Sequence, residues 1–408
     1  MSTERSPTPG LSAQWNTVLV PCVFLFVSML NLTLIVAGLK DLIIDELGGR
    51  EEDVSLFFSI EMAAYILFAP IWGLLSDRWG RRRGFIALGF FMSACLYASY
   101  SMIRSIPLLL TLRFVQGAFS VMGWSTLMAM VLDQPDEKRR GRYMGLMGAA
   151  LILGVSIGAP LGGYVSRSYG AHAPLQLAAG LFFVLAAGTL ALKAAGETRR
   201  QISLAEIGRA LYRRPLLALP SLFYLVDRYT VGFIVVLFPL YLETLGITDP
   251  ATKGQYLGVF LLPFALLQYP CGRLLERVAP WKPLVAGSLL YGVALCAVGY
   301  SGLFSLWWVM LLLGVLAAVM FPPAITLTAQ LSDPRIRGSA MGGFNLAGSL
   351  GFAIGPLVGV WAFKMHGYGF AFALAGALEM LVAIVGGVVI YRWARSRRHS
   401  GGVREDAG

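Results

Sequence analysis

Long apolar stretches dominate the chain, interrupted by short charged clusters and by Gly/Pro breaks. A helix that crosses a bilayer needs about 20 mostly apolar residues, and cutting the chain at its charged clusters leaves twelve such runs. They cover 16–39, 54–75, 84–103, 107–132, 143–165 and 173–192, then 216–242, 254–274, 283–302, 306–331, 339–363 and 368–393. An even number puts both termini on one side of the membrane. The first run is too long for a removable signal peptide and lacks a small-residue cleavage site, so it is expected to stay as the first helix. The expected fold class is an all-α, multi-pass membrane protein with twelve transmembrane helices.

Composition supports this reading. Apolar residues make up 57% of the chain and charged residues 13%, about half the charged share of a typical soluble domain. A soluble enzyme is excluded on that ground. The net charge of +11 admits nucleic acid or anionic lipid as a partner until its position is considered. Of the 33 Lys and Arg, 25 fall on the side of the termini, against six on the other side: Lys40, Arg50, Arg104, Arg167, Lys253 and Lys364. The positive-inside rule then places both termini in the cytoplasm, and no nucleic acid is needed to explain the basic excess. Cys22, Cys95, Cys271 and Cys296 are scattered through apolar runs, and His172, His366 and His399 do not cluster. No metal site, disulfide framework or cofactor is expected.

The two halves of the chain repeat each other at an offset of 197 residues. Arg140-Gly141 and Met144-Gly145 recur as Arg337-Gly338 and Met341-Gly342, and Gly154, Gly158 and Gly162 recur as Gly351, Gly355 and Gly359. Each glycine ridge also carries a proline, Pro160 and Pro356, and small residues at this spacing let helices pack closely. The expected organisation is a tail (1–15), a six-helix bundle (16–192), a cytoplasmic linker (193–215), a second six-helix bundle (216–393) and a tail (394–408). Parallel repeats of this kind hold a substrate site between the halves near the midplane. Within the linker, Ser203 and Glu206 have capping-box spacing, and Leu204, Ile207 and Leu211 form an apolar stripe beside Arg209, Arg213 and Arg214. That segment is expected to lie flat on anionic lipid at the cytoplasmic face; the alternative is a flexible tether.

Between the second and third runs the sequence reads Gly73-Leu-Leu-Ser-Asp77-Arg78-Trp-Gly80-Arg81-Arg82-Arg83. Gly73 and Asp77 share a helix face, where Asp can accept from the N-terminus of a neighbouring helix. These residues resemble the signature of the major facilitator superfamily between helices 2 and 3, and a decayed copy follows the eighth run at Gly272, Arg273, Glu276 and Arg277. The resemblance spans the chain. It implies a secondary transporter working by alternating access, with Asp77 and Arg81 bracing the second helix against the eleventh when the cavity opens outward. Arg113, Gln116 and Gly117 resemble the family's R-x-x-Q-G motif in the fourth helix; Met310 stands at the repeat position of Arg113, so that charge belongs to one half only. The stretch from Gly154 to Gly163 resembles an antiporter-associated pattern, with its proline one place late.

Five ionisable residues fall inside spans: Glu61, Arg113, Asp227, Arg228 and Glu379. Each costs at least a few kcal/mol unless paired or hydrated. Glu61 and Arg113 lie at similar depth, and an ion pair between them is expected. Asp227 and Arg228 are neighbours near the midplane whose side chains leave the helix about 100° apart. They are expected to seek different partners, Arg228 pairing with Glu379 and Asp227 facing the cavity. Asp227 or Glu61 is the expected proton carrier, the alternative being static ion pairs throughout. In the family, helices 1, 4, 7 and 10 line the cavity, and here they supply Phe24, Asn31, Gln116, Trp124, Tyr224, Tyr229, Phe233 and Phe321. Asn31-Leu-Thr33 resembles the helix-1 D-x-T of drug/proton antiporters with a neutral residue in place of the acid.

Aromatics outnumber amides in that lining, which suits an amphiphilic or apolar solute better than a sugar. The expected function is proton-coupled export of a small amphiphilic molecule by a monomer. Alternatives are a metabolite or lipid carrier or importer of the same fold and, from another class, a membrane scaffold or receptor that has lost transport. Nothing in the residues pairs a nucleophile with a base, so an enzyme is not expected.

Overall fold

A computed structural model of the chain describes residues 11–132, 140–192, 208–209, 212, 215–274, 278–332 and 337–402. The described residues are helical and contain no strand. The first half holds α1 (Leu11–Leu34), α2 (Glu51–Trp79), α3 (Arg82–Tyr100), α4 (Ile106–Leu132), α5 (Arg140–Tyr169) and α6 (Ala173–Gly188). The second holds α7 (Ala218–Thr244), α8 (Pro250–Leu266, with a short continuation Gln268–Leu274), α9 (Trp281–Val298) and α10 (Leu303–Leu331). A last stretch, Arg337–Gly402, breaks at His366 and Gly367, where the backbone leaves helical geometry; we treat 337–365 as α11 and 368–402 as α12.

Eight stretches among the described residues are long and apolar enough to cross a membrane, and one of them, Ala340–Trp393, contains the break between α11 and α12. The helix ends depart from the expected runs where the backbone finds other partners. Beyond α1 the chain continues as a 3-10 turn (Val36–Gly38) and a π-helical turn (Asp41–Glu46), which carry Lys40 past the span. The eighth run breaks at Leu267, and the sixth ends in a 3-10 turn, Thr189–Ala191. The expected interfacial helix of the linker falls almost wholly outside the described residues.

Glycine sets the packing of each half. α5 lies against α1 so closely that a Cβ at Gly154, Gly158 or Gly162 would overlap the backbone carbonyls of Phe26, Leu30 and Leu34 in turn. The second half repeats this: Gly351 and Gly355 on α11 press on the Leu225 and Tyr229 carbonyls of α7, and Gly359 meets the Phe233 ring. The 197-residue offset in sequence is thus a repeat of helix pairs, α1 with α5 and α7 with α11. Between the halves, α5 packs on α8, where Gly163 meets the Pro250 carbonyl, Gly254 meets the Ala159 carbonyl, and Ser156 Oγ donates to the Leu261 carbonyl at 2.8 Å. α2 packs on α11 through stacked Phe58 and Phe352 rings, 5.4 Å apart.

Candidate functional site

Two charge clusters lie within the bundle, one in each half. In the first, Arg113 of α4 has no exposed surface and spends its donors on four acceptors. Nη2 donates to Glu61 Oε2 of α2 at 2.5 Å, Nη1 to Tyr97 Oη and Gln116 Oε1, each at 2.8 Å, and Nε to the Phe57 carbonyl at 3.3 Å. The guanidinium also lies 4.3 Å from the Phe57 ring centroid. Glu61 Oε1 accepts from Tyr65 at 3.0 Å, and Tyr65 Oη reaches Ser120 Oγ at 3.2 Å. Charges balance one to one and both carboxylate oxygens are used, as a dry ion pair requires. Sequence reasoning missed Tyr65, Tyr97 and Ser120; Tyr65 sits four residues after Glu61, a spacing that puts both on one face of α2.

The second cluster differs from the expected pairing. Arg228 does not reach Glu379; its Nε and Nη2 both donate to Asp227 Oδ2, at 3.0 and 2.7 Å. The side chains leave α7 in different directions, but arginine is long enough to fold back, and a local ion pair avoids stranding either charge in a low dielectric. Arg228 then lies over three rings, 5.4 Å from Tyr224, 5.0 Å from Phe264 and 5.4 Å from Phe321. Tyr224 in turn stacks on Phe344 at 4.0 Å. Neither oxygen of Glu379, nor Asp227 Oδ1, has a hydrogen-bond partner among the described residues.

The residues expected to line a cavity divide into two groups. Tyr224, Phe321 and Trp124 are partly exposed. Phe24, Tyr229 and Phe233 are buried within their own halves, Phe24 against Phe90 and Gly188, Phe233 against Phe372 and Gly359; they pack the bundles rather than line a cleft. Gln116 is engaged by Arg113. Asn31 is 1% exposed, and neither amide atom has a hydrogen-bond partner among the described residues. A buried amide of this kind costs about 1–3 kcal/mol until water or a solute reaches it.

At the turn after α2, Gly80 caps the helix in a left-handed conformation (φ 63°), its N–H donating to the Ser76 carbonyl at 3.0 Å. Gly73 is buried and its carbonyl accepts from Ser76 Oγ, while Arg78 and Arg81 are exposed. Arg83 donates to the Leu190 carbonyl at 2.5 Å, tying this turn to the end of α6. The side chain of Asp77 lies outside the described residues.

The opposite end of the bundle is closed by ion pairs that sequence reasoning did not assign. Lys40 meets Glu243 at 2.9 Å, Arg167 meets Asp249 at 3.6 Å, and Lys364 pairs with Glu52 and, at 3.7 Å, Glu51. Each of these joins one half to the other. Lys253, fully buried, shares Glu243. Burial pushes Asp249 up, but hydrogen bonds from Thr252 and the charge of Arg167 hold it below the usual carboxylate range. Desolvation pulls Lys40 down, yet Glu243 and Asp45 hold it above the usual lysine value. A depressed acid contributes until pH falls through its folded pKa, and a raised base until pH rises through its own. The closed end therefore holds across the neutral range and loosens on strong acidification.

Ser55 is buried on α2, between Glu51 and Phe58 on one helix face. In a background with the native cysteines replaced, Ser55→Cys will react several-fold faster with an impermeant thiol reagent when Lys364→Glu is added, since an exposed pair is worth up to about 1 kcal/mol. Adding Glu52→Lys will restore the slow rate. Equal rates in all three proteins would show that Lys364 and Glu52 do not hold this end shut.

The structure consists of two similar helical halves, each holding one buried charge cluster, and known proteins of this kind are numerous. The family model described as Major Facilitator Superfamily matches residues 22–254 and 220–407. The multidrug resistance protein MdtG of Proteus mirabilis is 25% identical over 374 residues, which is 87% of this chain and 90% of that protein. The multi-drug resistance efflux pump PmrA of Streptococcus pneumoniae is 23% identical over 369 residues, 86% of this chain and 91% of the pump. Among solved structures, a bacterial homolog of the human lysosomal transporter Spinster superposes with a TM-score of 0.77 at 14% identity, covering 96% of this chain and 98% of its own. A mutant of the nucleoside transporter NupG gives 0.74 at 14% identity, with coverage of 92% and 99%. At such identities the solved structures show the fold alone.

Proposed function

Because the chain belongs to the major facilitator superfamily, and is therefore an integral multi-pass membrane transporter of small molecules and not an enzyme, we propose that it exports amphiphilic compounds in exchange for protons. The observation that carries this reading is the Asp227–Arg228 pair on α7, set among the rings of Tyr224, Phe264 and Phe321. Aromatic faces beside an ionisable pair suit a solute with an apolar body and a polar or charged end. Efflux relatives such as MdtG and PmrA support the direction.

In this reading the chain crosses the bilayer twelve times, with 16–192 and 216–393 as the two moving units and the linker 193–215 on anionic lipid at the cytoplasmic face. The arginine-rich end and both termini face the cytoplasm, and the ion-pair end faces outward. The closed outer end then corresponds to a cavity that opens inward. Asp77 and Arg81 brace α2 against α11 in the opposite state, and Asp227 loads the proton while Glu61 with Arg113 holds α2 to α4.

The test is transport by the purified monomer in liposomes. With an imposed pH gradient, a lipophilic fluorescent amine and a lipophilic fluorescent acid are offered in parallel. Accumulation of either against its gradient, abolished by a protonophore, is the expected result. Movement of both at rates independent of the pH gradient, or of neither, would overturn proton-coupled export.

A further inference from the structure

Glu379 is the one intramembrane charge that the pairings above leave over. It has no exposed surface, and both carboxylate oxygens lack a hydrogen-bond partner among the described residues. The groups that act on it come from two neighbouring helices. α7 contributes Asp227 and Arg228, and α9 contributes Ser288 and Tyr291, whose hydroxyl lies 3.3 Å from Thr230 Oγ1. Ser288 Oγ is directed at Glu379 but makes no hydrogen bond of normal length, and Asp227 Oδ1 has no partner among the described residues.

Charge counting decides what is missing. Two carboxylates face one guanidinium, and Arg228 already spends two donors on a single oxygen of Asp227. Left so, the cluster carries a net negative charge in a dry bundle, which costs several kcal/mol. In the first half, by contrast, one carboxylate faces one guanidinium and every carboxylate oxygen is bonded. We infer that Asp227 and Glu379 form a proton-binding site behind α7 that holds one shared proton at neutral pH, with Arg228 as its movable counter-charge. One proton on the pair removes the excess negative charge, as happens generally when two acids share a site.

Arg228 is the member of this cluster that reaches the surface. Its side chain is 12% exposed and rests on the rings of Tyr224, Phe264 and Phe321 rather than inside a closed network. When a solute draws the guanidinium away, the two acids lose their counter-charge and take up a second proton from cleft water. When it returns, one proton leaves by the same route. This coupling step rests on the export reading above; the resting proton does not.

Infrared difference titration of the protein in liposomes separates the two. The expected spectrum shows a protonated-carboxyl C=O band at neutral pH that shifts in deuterium oxide and is absent in Glu379→Gln. In Asp227→Asn the band should vanish at lower pH than in the wild type, because a like charge has gone and Arg228 is freed to pair with Glu379. Glu379→Asp, which keeps the acid, should move the band without removing it and serves if the Gln variant does not fold. Identical neutral-pH spectra for wild type and Glu379→Gln, or a band that Glu379→Asp leaves unmoved, would overturn the site. A band that behaves as stated in a protein that moves neither fluorescent probe would sink the export reading and leave the proton site standing. Proton-driven transport without the band would do the reverse.

Discussion

Arg113→Gln is expected to lower the apparent stability of the purified protein by about 3–5 kcal/mol, the usual cost of stranding one member of a buried ion pair. Its donors are bound to Glu61, Tyr97, Gln116 and the Phe57 carbonyl, and no surface of the residue reaches solvent. Removing the guanidinium leaves Glu61 without a counter-charge, beside the neutral groups Tyr65 and Gln116. Glu61→Gln should be milder, because the amide oxygen still accepts from Arg113 while its NH2 donates to Tyr65 Oη, although the guanidinium then lacks a counter-charge. The double variant Glu61→Gln, Arg113→Gln removes both charges at once and should lose less than the two single losses combined, with a coupling of about 0.5–3 kcal/mol. Thermal unfolding of all four proteins in one detergent measures this. Additive losses would mean that the pair carries no interaction energy. The double variant should also retain pH-driven transport, since a network with every oxygen satisfied has no reason to exchange its proton.

Much of this arrangement is legible in the sequence, and the part that is not has a definite cause. The glycine ridges could be read because close helix approach forbids a Cβ, so the same constraint left the same residue at the same offset in both halves. Glu61 and Arg113 could be matched by depth, as each had one opposite charge at its level. Arg228 could not be placed, because two carboxylates competed for one long side chain, and helix geometry fixes the direction of Cβ but not the reach of a guanidinium. Phe233 illustrates a second limit: from Val231 to Leu242 α7 is apolar on every side, so periodicity does not tell which of these residues turn to the other half and which to α11 and α12. The pairs at the closed end join residues as distant as Glu52 and Lys364, and their assignment needs the packing of α2 on α11.

Asp227→Asn is expected to reduce uphill, proton-driven accumulation to the level of protein-free liposomes while sparing ligand binding and downhill exchange. The substitution differs from Arg113→Gln in what it strands. Arg228 is partly exposed and has three aromatic faces to rest on, and an Asn at position 227 still offers it a carbonyl oxygen. The fold should therefore survive, which makes loss of transport interpretable. What disappears is a carboxyl that can be neutral in one state and charged in another, and without it the energy of a pH gradient has no group on α7 through which to bias the two states. Binding of a fluorescent amphiphile, measured without a gradient, should stay within a few-fold of the wild type, because the rings that hold its apolar body and the guanidinium of Arg228 both remain and Asn keeps a polar group at position 227. If the Asn variant still concentrates a probe when a pH gradient is imposed, Asp227 is not the coupling carboxyl, and of the two remaining buried acids Glu379, with both oxygens unpartnered, is tested before Glu61, whose oxygens are both engaged.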